Sequence, residues 1–245
     1  MILKDISFNS PEENILFDEV LFHLAENENT GEVLRFWESK EPFVVLGRIS
    51  KETEDIKIDN VLEDKIPVLK RCSGGGTVLQ GRGCFNYSLI LSKKINPKLS
   101  DIGKSYNFIL GKVTRALDKL GLESAFMPIS DIALKSNSKK ISGNAQKRGR
   151  EFILHHGTIL YGFDLNKIEK YLEAPKDMPD YRKGRHHRDF VSNADISLID
   201  LKNNLKKEFR VYEQGNFLTK SESNLLKKFV EEKEVVINLE ELMAV

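Results

Sequence analysis

A chain of 245 residues with 40% hydrophobic content can bury a core in one large domain, or in one domain with a small appendage. Its formal net charge of +1 gives no global field for drawing in nucleic acid, so any charge recognition must be local, and no apolar run approaches a membrane span. The opening MILKDISFNS lacks the apolar stretch of a leader, and two cysteines, Cys72 and Cys84, have no metal-ligand partners at useful spacing, which together indicate a reduced, cytoplasmic protein.

In chain order, Ile15, Leu16, Val20, Leu21 and Leu24 predict a helix over 14–25, with Pro11 as its starter. Residues 34–37 and 43–46 read as strands separated by a Ser-Lys-Glu-Pro turn, 58–64 as a short helix, and 68–70 as a strand entering a glycine-rich loop. FNYSLIL follows as a buried strand, and Ile109, Leu110, Val113, Leu117 and Leu120 predict a helix over 105–120 that Gly121 ends. A hairpin around Ser136-Asn137-Ser138 joins 131–134 to 140–141, and 152–163 reads as another strand pair. PKDMPDYRKGRHHR, 175–188, has two prolines and a dense cationic block and reads as a loop over the site. Lysine- and glutamate-rich helices near 199–209 and 221–232 would pack on the domain edge. Mostly antiparallel or mixed sheets with helices outside, packed to one side, make the fold class α+β.

Two segments carry chemistry. In KRCSGGGTVLQGRG, from Lys70, three consecutive glycines, Gly74, Gly75 and Gly76, can turn their N–H groups onto one point, the geometry of an anion-binding nest. Lys70 and Arg71 bring positive charge, and Ser73 and Thr77 bring hydroxyl donors. Neither the Walker pattern nor the dinucleotide glycine fingerprint is present, and an ordinary glycine-rich hairpin loop fits this segment alone equally well. The second segment, KKISGNAQKRGREFILHHGTILYGFDL from Lys139, puts a lysine before a Ser-Gly turn and a His-His-Gly-Thr step before a β-rich run.

Together the two segments resemble the lipoate-protein ligase family, within the wider group of biotin and lipoate protein ligases and octanoyltransferases. The family's first motif, approximately RRxSGGGxVxHxxGxxxxS, is matched by Arg71, Ser73, the three glycines, Val78, Gly81 and Ser88. The second, approximately KxSGxAxxR followed by HHGTLL, is matched by Lys140, Ser142, Gly143, Ala145, Arg148, His155, His156, Gly157, Thr158 and Leu160. NILFDEVLF and LRFWESKEPFVVLGR are similar to the family's opening helix and strand pair. Departures are Lys70, Cys72, Gln80 where histidine is frequent, and Ser130 before Asp131 where Asn-Asp is common.

The resemblance implies a class II aminoacyl-tRNA synthetase/biotin ligase-like catalytic domain. It also implies lipoate as substrate, ATP with Mg²⁺ as activator, and the lysine of a lipoyl domain as acceptor, of the 2-oxoacid dehydrogenase E2 or glycine cleavage H protein type. Lys140 would be catalytic, its ammonium stabilising charge at the acyl carbonyl and phosphate. Arg71 would pair with the α-phosphate or the carboxylate, with the glycine N–H groups completing the cradle. Asp131 either binds Mg²⁺ or accepts from a turn. Of His155 and His156, neighbours on a strand, at most one lines the pocket. Backbone around Gly157 and Thr158 would contact adenine, while Arg148 either assists a phosphate or is a surface residue. Trp37, Phe43, Val78 and Phe85 are acyl-chain candidates, Trp37 foremost, although core packing is the commoner fate of such residues.

An octanoyl or lipoyl transferase acting through a cysteine thioester is the rival. The place of its nucleophile in one such group reads Ser124-Ala125-Phe126-Met127, with no thiol, and after Lys140 the chain has no cysteine at all. Many ligases of the family add an accessory domain of roughly a hundred residues. The expected organisation is a catalytic domain over 1–210 and a short helical tail over 211–245, with no full accessory domain; a separate accessory protein is one way to supply it.

Overall fold

The computed structural model describes residues 1–175 and 178–243. Strand β1 (Ile2–Asp5) opens the chain and helix α1 (Pro11–Glu28) follows. Ser10 caps α1 by accepting from the Glu13 N–H, Pro11 takes the first turn where its missing donor costs nothing, and Asn29 closes the helix in the left-handed region. Next come β2 (Val33–Trp37), β3 (Phe43–Leu46), α2 (Glu52–Asp55), α3 (Ile58–Glu63), β4 (Val68–Lys70), β5 (Val78–Gln80) and β6 (Cys84–Ser92). Helix α4 (Ile102–Asp118) leads to a meander of β7 (Ser124–Met127), β8 (Asp131–Leu134), β9 (Lys140–Arg148) and β10 (Phe152–Leu160). Then come α5 (Asn166–Tyr171), α6 (His187–Phe190), α7 (Leu198–Glu208), β11 (Glu213–Gln214), α8 (Lys220–Glu232) and α9 (Leu239–Met243).

Eight strands form one mixed sheet in the order β11-β1-β2-β6-β10-β9-β8-β7, and β4-β3-β5 form a second. The α+β expectation holds, with one correction: helices cover both faces of the large sheet. On one face α4 and α7 bury Ile109, Leu110, Val113, Leu117, Leu201 and Leu205 against Phe36, Tyr87, Leu89 and Ile153. On the other, α1 and α8 bury Phe17, Val20, Leu24, Leu226 and Phe229 against Val33, Ile90, Phe152 and Leu154. Residues 152–163 are also not a strand pair: β10 is one strand, antiparallel to β9 on one side and β6 on the other.

The tail is more than helical. β11 adds a parallel strand to β1 at one edge of the large sheet, and Val236 bridges Leu69 at the edge of the small one. Between them Glu222 caps α8 through Thr219 and forms a buried ion pair with Lys4 at 2.8 Å. The 175–188 segment leads from α5 to α6, with a 3-10 turn at Asp180–Arg182; its Lys176 and Asp177 lie outside the described residues.

Candidate active site

Between the small sheet and the α1-bearing face of the large one lies a cavity of about 360 Å³. Lys140, Arg71, Gly75, Gly76, Thr77, Val78, Trp37, Ser142, Gly143, Ala145, His156, Gly157, Thr158 and Asp131 all line it. Ser73 lies behind this wall, almost fully buried. Of the four acyl-chain candidates Trp37 and Val78 line the cavity, while Phe43 and Phe85 are fully buried away from it.

The position of Lys140 depends on a register break. Asp131 pairs with Gly143 and Ile132 with Ser142, but Ala133 pairs with Lys140, so β9 carries one surplus residue, Ile141. A bulge re-aims the side chains beyond it. Ile141 sinks into the hydrophobic core, and Lys140 returns to the cavity face beside Gly143. A Cβ on Gly143 would sit 3.1 Å from the Lys140 Nζ, so the absent side chain there makes room for the ammonium. The ammonium pairs with Asp131 Oδ1 at 2.7 Å, and the Tyr181 hydroxyl donates to Asp131 Oδ2 at 2.6 Å. A magnesium-ligand role for Asp131 would require Lys140 to leave it. Both carboxylate oxygens are already engaged, and among the described residues no group of three His, Cys, Asp or Glu could hold a metal ion.

The glycine loop is shaped by Arg71, which does not reach outward as an anion ligand. Its guanidinium donates to the carbonyls of Val45, Gly74 and Gly76 and to Ser73 Oγ, at 2.7 to 3.2 Å. A trans peptide sets N–H opposite C=O, so holding the Gly74 and Gly76 carbonyls turns the N–H groups of Gly75 and Thr77 away from Arg71. Burial pulls the Arg71 pKa down to about 10, which leaves it cationic at neutral pH. Gly75 has φ +84°, and its carbonyl passes where a Cβ of Gly47 would lie, at 1.9 Å. Thr77 Oγ1 donates to Asp55 Oδ2 at 2.5 Å, tying the loop's far end to α2.

A buried polar chain supports the loop from below. Ser73 Oγ lies 2.6 Å from His156 Nε2, His156 Nδ1 lies 3.4 Å from Asp18 Oδ2, and Asp18 Oδ1 accepts from Arg35 at 2.6 Å. Burial by itself would raise the Asp18 carboxyl, but Arg35, His156 and the Ser88 hydroxyl overcompensate and hold it below the usual carboxylate range. The sequence reading overlooked Asp18 and Arg35. A signal was present: Asn14 and Asp18, four apart on an otherwise apolar helix face, need a buried partner.

The two histidines part as strand geometry requires. His155 points into the core, hydrogen-bonded by Gln146 and Asn144, and burial lowers its pKa to about 3, so it is neutral. Gly157 shares that inward face. A Cβ there would meet Asn144 Oδ1 at 1.9 Å and the Tyr87 hydroxyl at 2.6 Å, which gives its lack of a side chain a packing reason. Thr158, on the cavity face, closes a ring in which Gln80 donates to Thr158 Oγ1, Thr158 to Asn86 Oδ1, and Asn86 to Gln80 Oε1. Arg148 lies away from the cavity, donating to Ser105 in α4, to Gln146 on β9 and to the Leu99 carbonyl just before α4.

Neither cysteine is poised as a nucleophile. Burial raises the Cys72 thiol to about 12 and pushes the Cys84 thiol well above its ordinary range, so both stay protonated at neutral pH. Among the described residues no helix is long and apolar enough to cross a membrane.

The chain is 29% identical over 168 residues to a probable lipoate-protein ligase A of Mycoplasma pneumoniae, covering 69% of this chain and 48% of that protein. It is 28% identical over 203 residues to the lipoate-protein ligase LplJ of Bacillus subtilis, covering 82% and 57%. It is 25% identical over 224 residues to the octanoyltransferase LipM of Oceanobacillus iheyensis, covering 84% and 81%. The chain spans about half the length of most of the curated ligase relatives it matches. Its fold is that of a lipoate-protein ligase A solved with ATP bound (TM-score 0.79, 21% identity, 94% of each chain). It is equally that of a bi-partite lipoate protein ligase from Thermoplasma acidophilum (TM-score 0.79, 21% identity, 95% of this chain and 92% of that one). Residues 10–210 match the family model described as the lipoyl protein ligase A/B catalytic domain, and the chain belongs to that family.

Proposed function

We propose that this protein is a lipoate-protein ligase: it activates lipoate with ATP to lipoyl-AMP and transfers the lipoyl group to a lysine of a lipoyl domain. The observation that carries this reading is that Lys140 and the Gly75–Thr77 backbone line one cavity that also has an apolar part, with Trp37, Val45 and Val78 on its wall. In the first half-reaction a lipoate carboxylate oxygen bonds to the α-phosphorus of ATP, and the bond to the β-phosphate oxygen breaks, releasing diphosphate. In the second, the acceptor amine bonds to the acyl carbon, the bond to the phosphate oxygen breaks, AMP leaves and the amine loses a proton.

Lys140 serves both steps as a point charge beside the acyl carbonyl and α-phosphate, exchanging Asp131 for the more strongly charged ligand. N–H groups of Gly75 and Thr77, held outward by Arg71, form the anion cradle. Mg²⁺ would come with the nucleotide, keeping several waters as this ion commonly does. The acceptor is a lipoyl domain by analogy with the Thermoplasma acidophilum system, which is described together with its E2 lipoyl domain. That neighbour is called bi-partite, which supports a separate accessory protein as a partner here, with the catalytic domain over 1–210 and the tail as its extension.

A transferase working through a cysteine thioester is the second reading, favoured by the long match to the octanoyltransferase LipM. The protonated thiols of half-buried Cys72 and buried Cys84 speak against it. The test incubates the protein with lipoate, ATP, Mg²⁺ and a lipoyl-acceptor domain, and reads the acceptor's mass. The ligase reading requires labelling that depends on ATP and survives the double variant Cys72→Ser/Cys84→Ser. Labelling from an acyl carrier without ATP, abolished by that double variant, would establish the transferase instead.

A further inference from the structure

The cationic segment over the cavity holds a group that the reaction outlined above leaves unused. Arg182 is 3% exposed, lines the same cavity as Lys140, and has an Nη2 with no hydrogen-bond partner among the described residues. Its Nε donates to the Arg185 carbonyl at 2.9 Å, and Arg185 Nε donates back to the Arg182 carbonyl at 3.0 Å. Both guanidinium groups lie over the Phe190 ring, at 4.7 and 5.2 Å. The Arg182 head is thus fixed in direction by its neighbours and left short of an acceptor. A buried donor without a partner is destabilising, the more so when charged, so a fold that keeps one has a reason to wait for an anion.

Among the described residues no side chain supplies that anion to the Arg182 Nη2. The nearby carboxylate, Asp131, spends one oxygen on Lys140 and the other on Tyr181. Lys140, with the glycine loop, serves the centre where acyl carbon and α-phosphate join. Arg182 sits on a different element of the same cavity, and a planar, always-charged fork suits a phosphate group with several equivalent oxygens.

We propose that Arg182 binds the diphosphate end of the nucleoside triphosphate, the part that leaves as pyrophosphate when the carboxylate oxygen takes the α-phosphorus. The inference rests on the ligase reading and gives it a second cationic site. As the α–β phosphoanhydride bond breaks, the electron pair stays with the departing diphosphate, and Arg182 meets the charge that builds there. No redox partner is involved, and the site is idle in the transfer half-reaction, where no diphosphate is present.

The test compares Arg182→Gln, Arg182→Lys and Arg185→Gln, with thermal melts to verify folding, in three measurements. These are ATP-dependent lipoylation, transfer from synthetic lipoyl-AMP, and calorimetric binding of inorganic pyrophosphate with Mg²⁺. Arg182→Gln is expected to lower the ATP-dependent reaction by about 100-fold, the lower end of the range for losing one preorganised donor. That loss should exceed its loss in transfer by at least about ten-fold, and pyrophosphate binding should weaken by about ten-fold or more, with Arg182→Lys in between. Arg185→Gln breaks the same buckle without removing the unpartnered nitrogen, so its effect should stay within about three-fold. Equal losses in both half-reactions, or equal losses from Arg185→Gln, would reduce Arg182 to a structural part of the segment. Pyrophosphate binding untouched by Arg182→Gln would overturn the site and leave the ligase reading standing. Arg182-dependent pyrophosphate binding by a protein that makes no adenylate would do the reverse.

Discussion

His155 and His156 are neighbours on β10, and the two faces they point to are built on opposite principles. On the His155 face a neutral imidazole, Tyr87, Asn144 and Gln146 form a hydrogen-bonded group inside a core of leucine, isoleucine and phenylalanine, with Arg148 donating to Gln146 at its edge. On the His156 face a charged chain runs from Arg35 through Asp18 and His156 to Ser73 and the glycine loop. The first face stabilises by excluding water. The second spends stability to fix one loop geometry, because a buried ion pair is a specific but expensive contact. One sheet thus separates the task of holding the fold from the task of aiming donors, with a single strand serving both.

Breaking the charged chain should have the largest effect. Asp18→Ala leaves the Arg35 guanidinium buried and unpaired, and denaturant unfolding should show a loss of about 3–5 kcal/mol. A loss below about 1 kcal/mol would mean that the chain is not a structural unit. Lys140→Ala is next and of the opposite kind. ATP-dependent lipoylation should fall by about 10²–10³-fold, or about 2.7–4 kcal/mol, while the melting temperature barely moves. Lys140→Arg should not restore activity, since a planar fork cannot occupy the space over Gly143 that a compact ammonium does.

The inward face is sharpened by pH. His155 titrates near 6.5 when unfolded and about 3 when folded, so in that window the unfolded chain binds the extra proton and stability falls as pH falls. The slope should approach about 1.4 kcal/mol per pH unit below 6.5, and thermal melts of His155→Gln should lose it. Asp18 adds its own loss only in stronger acid: its folded pKa is depressed, so the stability present above the unfolded carboxylate value disappears as pH drops through the folded one. The smallest effect is expected from Cys72→Ser, which should leave turnover within about two-fold, since a protonated thiol on the cavity wall acts as a small apolar group. A large loss would reopen the thioester route.

Much of this arrangement is written locally. Helix α1 announces itself by its apolar spacing and Pro11, the strands around the glycine loop by their branched and aromatic residues, and the cavity wall by two long motifs. What escaped the sequence is what depends on distant partners. β1 is four residues long and reads as a strand only beside β2 and β11. The tail's extended pieces exist because sheet edges elsewhere accept them. Arg71 follows the same logic: a cationic residue beside three glycines suggests a ligand for anions, and only the folded loop reveals that neighbouring carbonyls consume its donors. Gly157 likewise looks like part of a binding step until Tyr87 and Asn144 are seen beneath it.

The surplus residue at Ile141 has a consequence for how this protein can change. The turn at 135–139 is free to lengthen or shorten, because the strands on either side fix their own pairing. Losing the bulge at the same chain length is different: Ile141 would fall opposite Ala133 on the face of Gly143, and the Lys140 ammonium would be driven into the core. Placement of the Lys140 ammonium on the cavity face therefore hangs on parity, an arithmetic property of the backbone that no single side-chain replacement can repair.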